Sequence, residues 1–345
     1  MNGTMKCVVK TKPGPNNLEL CERPIPQPGP GEVLIKVQLA AICGTDVHIK
    51  DWDPFAAARL NPPVIIGHEF CGEIVEIGIG VDSTRIGKLV SAESHVVCGH
   101  CAMCKAGLAN VCLNTTCIGL HFDGAFAEYV VIPDENAIVC DSNLPEEVNA
   151  ILEPLGVAVH AASKCELAGK TVAVVGCGPI GLMAVAVARK MGAGKIIAVE
   201  TNEYRLDTAI KMGATVTVNP LKEDTIKSVR NATDGLGPEV ILEFSGSKHA
   251  IIDETKYIRK GGSIVVAGLP SGEIGLNFED IFYNGVNMYG ISGRELYRTW
   301  NIMQGLLDAG LDVKECISDV LPLEDFEKGF ELIKSGKALK VLFRP

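Results

Sequence analysis

The stretch Thr171-Val-Ala-Val-Val-Gly-Cys-Gly-Pro-Ile-Gly181 decides the architecture. Val172 to Val175 is a continuous apolar run, the pattern of a strand buried on both faces. It passes without a linker into Gly176-x-Gly178-x-x-Gly181, and Leu182 to Met191 then reads as a helix. In this context the first glycine permits a tight turn and the second lets backbone approach a pyrophosphate. The third lets helix and strand pack closely. The helix N-terminus offers unpaired N–H groups to phosphates. Alone, the three glycines could equally form a structural turn. The next strand, Lys195-Ile-Ile-Ala-Val199, adds a second signal by ending in Glu200. A carboxylate there can accept hydrogen bonds from ribose hydroxyls and repels a 2′-phosphate, which favours NAD over NADP. Arg205, just beyond, could pack on the adenine or meet such a phosphate.

Strands and helices continue to alternate outward from this point. Asn202 to Met212 has helical periodicity, and Val240-Ile-Leu-Glu-Phe and Ser263-Ile-Val-Val-Ala read as further buried strands. This alternation implies parallel βαβ units in a doubly wound Rossmann sheet. Before residue 150 the pattern is β-rich instead. Short β-branched runs such as Val33-Leu-Ile-Lys-Val-Gln-Leu, Ile74-Val-Glu-Ile and Tyr129-Val-Val-Ile are separated by turn-formers like Pro26-Gln-Pro-Gly-Pro-Gly31. The tail holds two amphipathic helical stretches and a final strand, Ala338-Leu-Lys-Val-Leu-Phe. The expected plan is an α/β chain with a β-rich domain of residues 1–155 and 299–345, interrupted by a nucleotide-binding domain of residues 156–298.

Composition narrows the function. A net charge of −10 argues against sequence-independent nucleic-acid binding, which needs a basic surface, and against an anionic membrane surface as partner. The opening Met1-Asn-Gly-Thr-Met-Lys-Cys-Val-Val lacks the apolar core of a secretory leader. Thirteen cysteines, an odd number spread along a long chain, fit metal ligation in a reducing compartment better than a disulfide framework. A cytoplasmic protein acting on a small molecule is therefore expected.

Two clusters carry metal chemistry. Cys98, Cys101, Cys104 and Cys112 form a complete set of four thiolates within one short loop, as a closed structural zinc site requires. An iron–sulfur cluster is the rival, but the last gap is longer than in the ferredoxin run and Leu113, not proline, follows Cys112. Earlier, Ala41-Ile-Cys43-Gly-Thr45-Asp46-Val-His48 and Ile66-Gly67-His68-Glu69 offer a thiolate, an imidazole and carboxylates. Cys43 and His68 are good zinc ligands, and an incomplete protein set leaves a position for water or substrate. The alternative for each residue alone is a buried cysteine and a structural histidine.

These segments carry a resemblance. Gly67-His68-Glu69 followed by Gly72 and Gly78, the Cys43-Gly-Thr45-Asp46-Val-His48 segment, the four-cysteine loop and the Gly176 turn fall in one order. Together the chain resembles the zinc-dependent medium-chain alcohol dehydrogenase family over essentially its whole length. The resemblance implies a GroES-like β domain holding two zinc ions, one catalytic and one structural, and a Rossmann domain holding NAD. It implies catalytic zinc on Cys43, His68 and Glu69 with Glu153 close by, and Asp46 orienting His68. Thr45 and His48 would form a proton relay, and Ile180, Gly268, Leu269, Ile291 and Ser292 would join the glycines, Glu200 and Arg205 around the cofactor. A homotetramer is also implied.

Within the family, Ile42-Cys-Gly-Thr-Asp-Val-His-Ile-Lys-Asp-Trp-Asp53 and Gly293-Arg-Glu-Leu-Tyr-Arg-Thr-Trp300 resemble the branch that oxidises L-threonine at its 3-hydroxyl. His95 would then shape specificity, although its position also suits a surface-loop histidine. Arg294 could pair with the substrate carboxylate, or serve the cofactor or a subunit contact. A polyol or 2,3-butanediol dehydrogenase shares the same zinc and NAD residues. A non-catalytic nucleotide-binding relative is more distant, because the ligand and relay residues are all present.

Overall fold

The computed structural model describes residues 3–141, 143–270 and 272–345. The chain divides into two compact units, Met1–Glu153 with Ile317–Pro345, and Pro154–Cys316. The return to the first unit therefore falls at 317 and not at 299. The reason is local packing: the helix Arg298–Asp308 buries Trp300, Met303 and Leu307. The Lys190 ammonium donates to the Ala309 carbonyl, and Cys316 Sγ lies 3.4 Å from Met212 Sδ. Those contacts tie residues 298–316 to helices of the nucleotide unit.

The first unit is built on a seven-stranded sheet. Its path runs Ala137–Val139, Leu89–Ala92, Glu69–Ile77, Glu32–Ala41, Lys340–Arg344, Ile317–Pro322, with Tyr129–Pro133 also paired to Glu32–Ala41. Glu32–Ala41 and Glu69–Ile77 are antiparallel, so Ala41 stands opposite Glu69. On the other side Leu342 stands opposite Ala41. The C-terminal strand thereby brings Lys340 to the end of the sheet where Glu69 begins. The core collects Ile35, Phe70, Ile74, Phe126 and Phe343, with the last two phenyl rings edge to face at 5.2 Å. Burying a side chain of this size stabilises by about 1.5–3 kcal/mol.

The second unit contains six parallel strands in the spatial order Val216–Val218, Lys195–Val199, Thr171–Val175, Val240–Glu243, Ser263–Val266, Asn287–Gly290. Numbered along the chain, this is 3-2-1-4-5-6, the Rossmann order. The strand Thr171–Val175 is central and apolar on both faces because helices cover both. The order reverses beside it, so the crevice opens at its C-terminal end, where Gly176 begins.

Candidate active site and its cofactor positions

Cys43, His68 and Glu69 come together in the first unit, with ligand atoms all within 4.8 Å of one another. Cys43 caps the helix Gly44–Asp51, while His68 and Glu69 lie where the Gly67 turn enters the strand Glu69–Ile77. Asp46 joins the two segments. Its Oδ2 accepts from the Cys43 N–H at 2.9 Å and its Oδ1 from the Gly67 N–H at 3.2 Å. These bonds hold the backbone of both ligand turns, and the Asp46 carboxyl also interacts electrostatically with His68. Gly67 is required at its position. It has φ +92°, and a Cβ there would lie 2.3 Å from Phe126 Cδ1.

Glu69 is completely buried, and the Lys340 ammonium, itself buried, donates to Glu69 Oε2 and to the Ile42 carbonyl at 3.1 Å. Burial pushes the Lys340 ammonium down, but Glu69 and Cys43 outweigh it and keep it charged. Burial pushes the Cys43 thiol up, with Lys340 opposing. Glu69 Oε1 is buried with no hydrogen-bond partner. A soft thiolate, an imidazole and this bare carboxylate oxygen suit zinc and leave its coordination incomplete. Glu153 lies outside the close triplet but acts on Cys43, Glu69 and Lys340, and its Oε1 accepts from Ser94 Oγ at 2.5 Å.

Thr45 and His48 lie three residues apart on the helix Gly44–Asp51, the spacing that places side chains on one face. His48 is exposed, and its Nδ1 is 2.7 Å from Asp53 Oδ2. A neutral ring donating there leaves Nε2 free to accept a proton. Asp53 also caps the short helix Pro54–Ala57 by accepting from the Ala56 N–H. His95, on the short strand His95–Val96, is half-buried and oriented by Glu93, whose Oε1 lies 3.4 Å from Nδ1. Lys340, Asp53, Ser94 and Glu93 were not singled out by the sequence reading. Lys340 alone left a signal, a charge within an apolar terminal strand.

The four-cysteine loop forms a second cluster. Its Sγ separations are 3.5 Å for Cys98–Cys112 and Cys101–Cys104 and 3.8 Å for Cys101–Cys112. These are far longer than a disulfide and match the spacing of about 3.8 Å that tetrahedral sulfurs adopt with a metal–sulfur distance of about 2.3 Å. The Asn114 N–H donates to Cys112 Sγ at 3.3 Å, and Asn114 Nδ2 to Cys98 Sγ at 3.5 Å. The Asn114 amide and the His100 backbone N–H hold the Cys98 thiol down to about 5. Four protein sulfurs would complete a tetrahedral coordination shell and leave no position for a substrate.

In the nucleotide unit the three glycines divide the work as their spacing predicts. Gly176 has φ +83°, and a Cβ there would meet the Ser245 backbone nitrogen at 2.5 Å. Gly181 would meet the Gly176 carbonyl at 1.9 Å, whereas Gly178, capping the helix Pro179–Lys190, faces open space. Open space at a helix N-terminus leaves room for a phosphate to approach the backbone. A cavity of about 400 Å³ adjoins it, lined among others by Gly176, Gly178, Glu200, Arg205 and Ser245. Glu200 Oε1 accepts from the Thr201 and Asn202 N–H groups at 2.8 and 3.0 Å, and Oε2 from the Cys177 N–H at 2.9 Å. Arg205 Nη1 is 3.7 Å from Glu200 Oε2. Ile180 lies in the first turn of the helix Pro179–Lys190, and Gly268–Leu269 and Ile291–Ser292 follow the strands Ser263–Val266 and Asn287–Gly290; none of the five is among the residues lining the cavity. Arg294, for which the sequence offers a substrate, cofactor or subunit role, is buried within the nucleotide unit. It is 1% exposed, and its Cδ occupies the space into which a Cβ on Gly156 would project.

Residues 29–142 match the alcohol dehydrogenase GroES-like domain family, and residues 179–309 the zinc-binding dehydrogenase family. An L-threonine 3-dehydrogenase of Caldanaerobacter subterraneus subsp. tengcongensis is 45% identical over 350 residues, covering 100% of both chains. Among solved structures, a short-chain alcohol dehydrogenase from E. coli CFT073 complexed with NADH has a TM-score of 0.92 at 28% identity, covering 99% of both chains. The 2R,3R-butanediol dehydrogenase from Bacillus subtilis has a TM-score of 0.89 at 29% identity, covering 99% of both.

Proposed function

The chain belongs to the zinc-binding, GroES-like alcohol dehydrogenase family, and on that premise we propose that it is an L-threonine 3-dehydrogenase. It oxidises the secondary alcohol of L-threonine to the ketone of 2-amino-3-oxobutanoate, with NAD as oxidant. The observation that carries the substrate is 45% identity, end to end, to a protein of that activity.

Cys43, His68 and Glu69 would hold the catalytic zinc, which when bound would supply Lewis acidity toward the hydroxyl oxygen of the substrate. NAD, when bound beside Gly176, Gly178 and Glu200, would supply the acceptor for the hydride at C3 of the substrate. The remaining work belongs to the protein. Asp46 fixes the two ligand turns, Lys340 balances the charge of Glu69, and Ser94 holds Glu153 beside the cluster. Thr45 takes up the hydroxyl proton and passes it to His48 Nε2, with Asp53 orienting the ring and solvent receiving the proton. Cys98, Cys101, Cys104 and Cys112 would hold the structural zinc. Glu200 sets the preference for NAD.

A cytoplasmic homotetramer completes the reading. Thirteen free cysteines support a reducing compartment. The exposed edge strand Asn287–Gly290, with Phe278, Phe282 and Tyr283 exposed nearby in sequence, supports self-association. No helix among the described residues is long and apolar enough to cross a membrane.

The test is NAD reduction with L-threonine, sorbitol and 2,3-butanediol side by side, with NADP as a second cofactor. L-threonine is expected to give the highest kcat/KM, and NADP to lower it by about a hundredfold or more. Turnover of the diol or polyol without L-threonine would replace the substrate. Equal use of NADP would overturn the role of Glu200.

A further inference from the structure

Two carboxylic acids lie buried together at the nucleotide crevice. Glu243 ends the strand Val240–Glu243 and Glu254 meets it from the helix Lys248–Tyr257; both are 0% exposed. Glu243 Oε1 is employed, accepting from Ser245 Oγ at 2.7 Å and from the Gly246 N–H at 2.6 Å. Glu243 Oε2 and both oxygens of Glu254 are buried without a hydrogen-bond donor. After burial itself, Glu243 is the group that acts most strongly on Glu254.

The charged groups that act on Glu254 are themselves acids, Glu243 from the facing strand and Asp253 from its own helix. Tyr257, one turn on, is acted on by the same three carboxyls. Two neighbouring carboxylates in a dry pocket cannot both ionise. A single proton between them supplies the missing donor and leaves one charge, already met by Ser245 and Gly246.

The anchored segment borders the cofactor turns. Besides the close approach of Gly176 to Ser245, a Cβ on Gly268 would lie 2.4 Å from the Gly246 nitrogen and 3.1 Å from Glu243 Oε1. Ser245–Gly246 is thus clasped between the phosphate-binding turn and the Gly268–Leu269 edge, with the Glu243 carboxylate beneath it.

We propose that Glu254 stands as the neutral acid, that its O–H donates to Glu243 Oε2, and that the pair is a positioning device fixing Ser245–Gly246 as the wall of the NAD site. The proton stays between the two carboxyls and takes no part in the hydride step. Burial and then Glu243 push the Glu254 carboxyl well above the usual carboxylate range. A group raised on folding contributes stability at low pH and loses it as pH rises through the folded value. Alkaline pH therefore releases the shared proton, sets two anions against each other and loosens the wall. This rests on the NAD reading of the crevice.

The experiment titrates NADH fluorescence with the full-length, zinc-loaded protein from about pH 6.5 to about pH 9.5. It compares wild type with Glu254→Gln, which keeps an N–H donor and cannot ionise, and with Glu254→Leu, which keeps neither. Unfolding midpoints are recorded over the same range without NADH. Wild-type affinity is expected to fall about tenfold toward high pH, with Glu254→Gln flat and within about twofold of the neutral wild type. Glu254→Leu is expected to bind about tenfold more weakly throughout. The wild-type midpoint should fall relative to that of Glu254→Gln as pH rises. Glu254→Gln weakening as much as Glu254→Leu, or a wild-type midpoint that tracks Glu254→Gln at every pH, would overturn the pair. A wild type that binds no NADH while the midpoints diverge as expected would overturn the cofactor reading and leave the acid pair standing.

Discussion

Replacing Lys340 by Met tests whether the buried cation, rather than apolar packing, holds the metal-site end of the sheet together. The side chain is 3% exposed, and its ammonium serves both Glu69 Oε2 and the Ile42 carbonyl. Methionine keeps nearly the same volume, so no large cavity opens and the loss is electrostatic. Glu69 is left at 0% exposure without its counter-charge and with one oxygen already bare, so it must stay an unpaired anion or take up a proton. Removing one member of such a pair costs about 3–5 kcal/mol. In a unit of this size that lowers the unfolding midpoint by roughly 10 °C. The measurement is thermal unfolding of chelator-stripped and zinc-loaded protein, because a cation beside Glu69 offsets the lost ammonium. The loss should be largest in the stripped form. Combining Lys340→Met with Glu69→Gln removes both charges and should recover all but about 1–2 kcal/mol. A Lys340→Met protein within about 1 kcal/mol of wild type when stripped, or a double variant less stable than the single one, would refute the reasoning.

The two cysteine sites should respond in opposite ways. Cys43→Ser is expected to lose one zinc and nearly all turnover while staying folded, whereas Cys104→Ser should lose more stability, and zinc, with turnover of the folded fraction largely kept. Zinc analysis, calorimetry and NAD reduction decide between these patterns, and equal loss of turnover in both variants would collapse the distinction. At Glu295 burial pushes the carboxyl up, but bonds from Lys164 and Arg298 prevail and bring it down to about 2. Its stabilising effect is present above the unfolded value and is lost as pH falls. Glu295→Gln should therefore cost at most about 3 kcal/mol at neutral pH, with the gap closing between about pH 4.5 and about pH 2 in denaturant titrations. A gap that stays constant across that range would count against the ion-pair account.

What the sequence disclosed and what it withheld follow from the range over which each signal acts. The Thr171–Gly181 stretch was legible because strand, turn and helix are neighbours in the chain and Gly181 must pack against the Gly176 carbonyl at its own turn. The thiolates of Cys98, Cys101, Cys104 and Cys112 were legible for the same reason, being confined to one loop. Lys340 and Glu69 are 271 residues apart, and they meet only because the C-terminal strand pairs with Glu32–Ala41, which already pairs with Glu69–Ile77. No local rule names that neighbour. The chain still marks such places in a weaker way. Lys340 interrupts Ala338-Leu-Lys-Val-Leu-Phe, and Glu243 ends the apolar Val240-Ile-Leu, each a charge in a run that periodicity buries. A charge there must find a counter-charge, a metal, a donor network or a proton. Sequence therefore locates the demand, and tertiary structure decides how it is met. For Glu69 the answer is a lysine on one oxygen and a bare oxygen facing the ligand cluster. For Glu243 it is two donors on one oxygen and a second acid on the other, and with no cation among the groups acting on Glu254, a shared proton is the consistent answer.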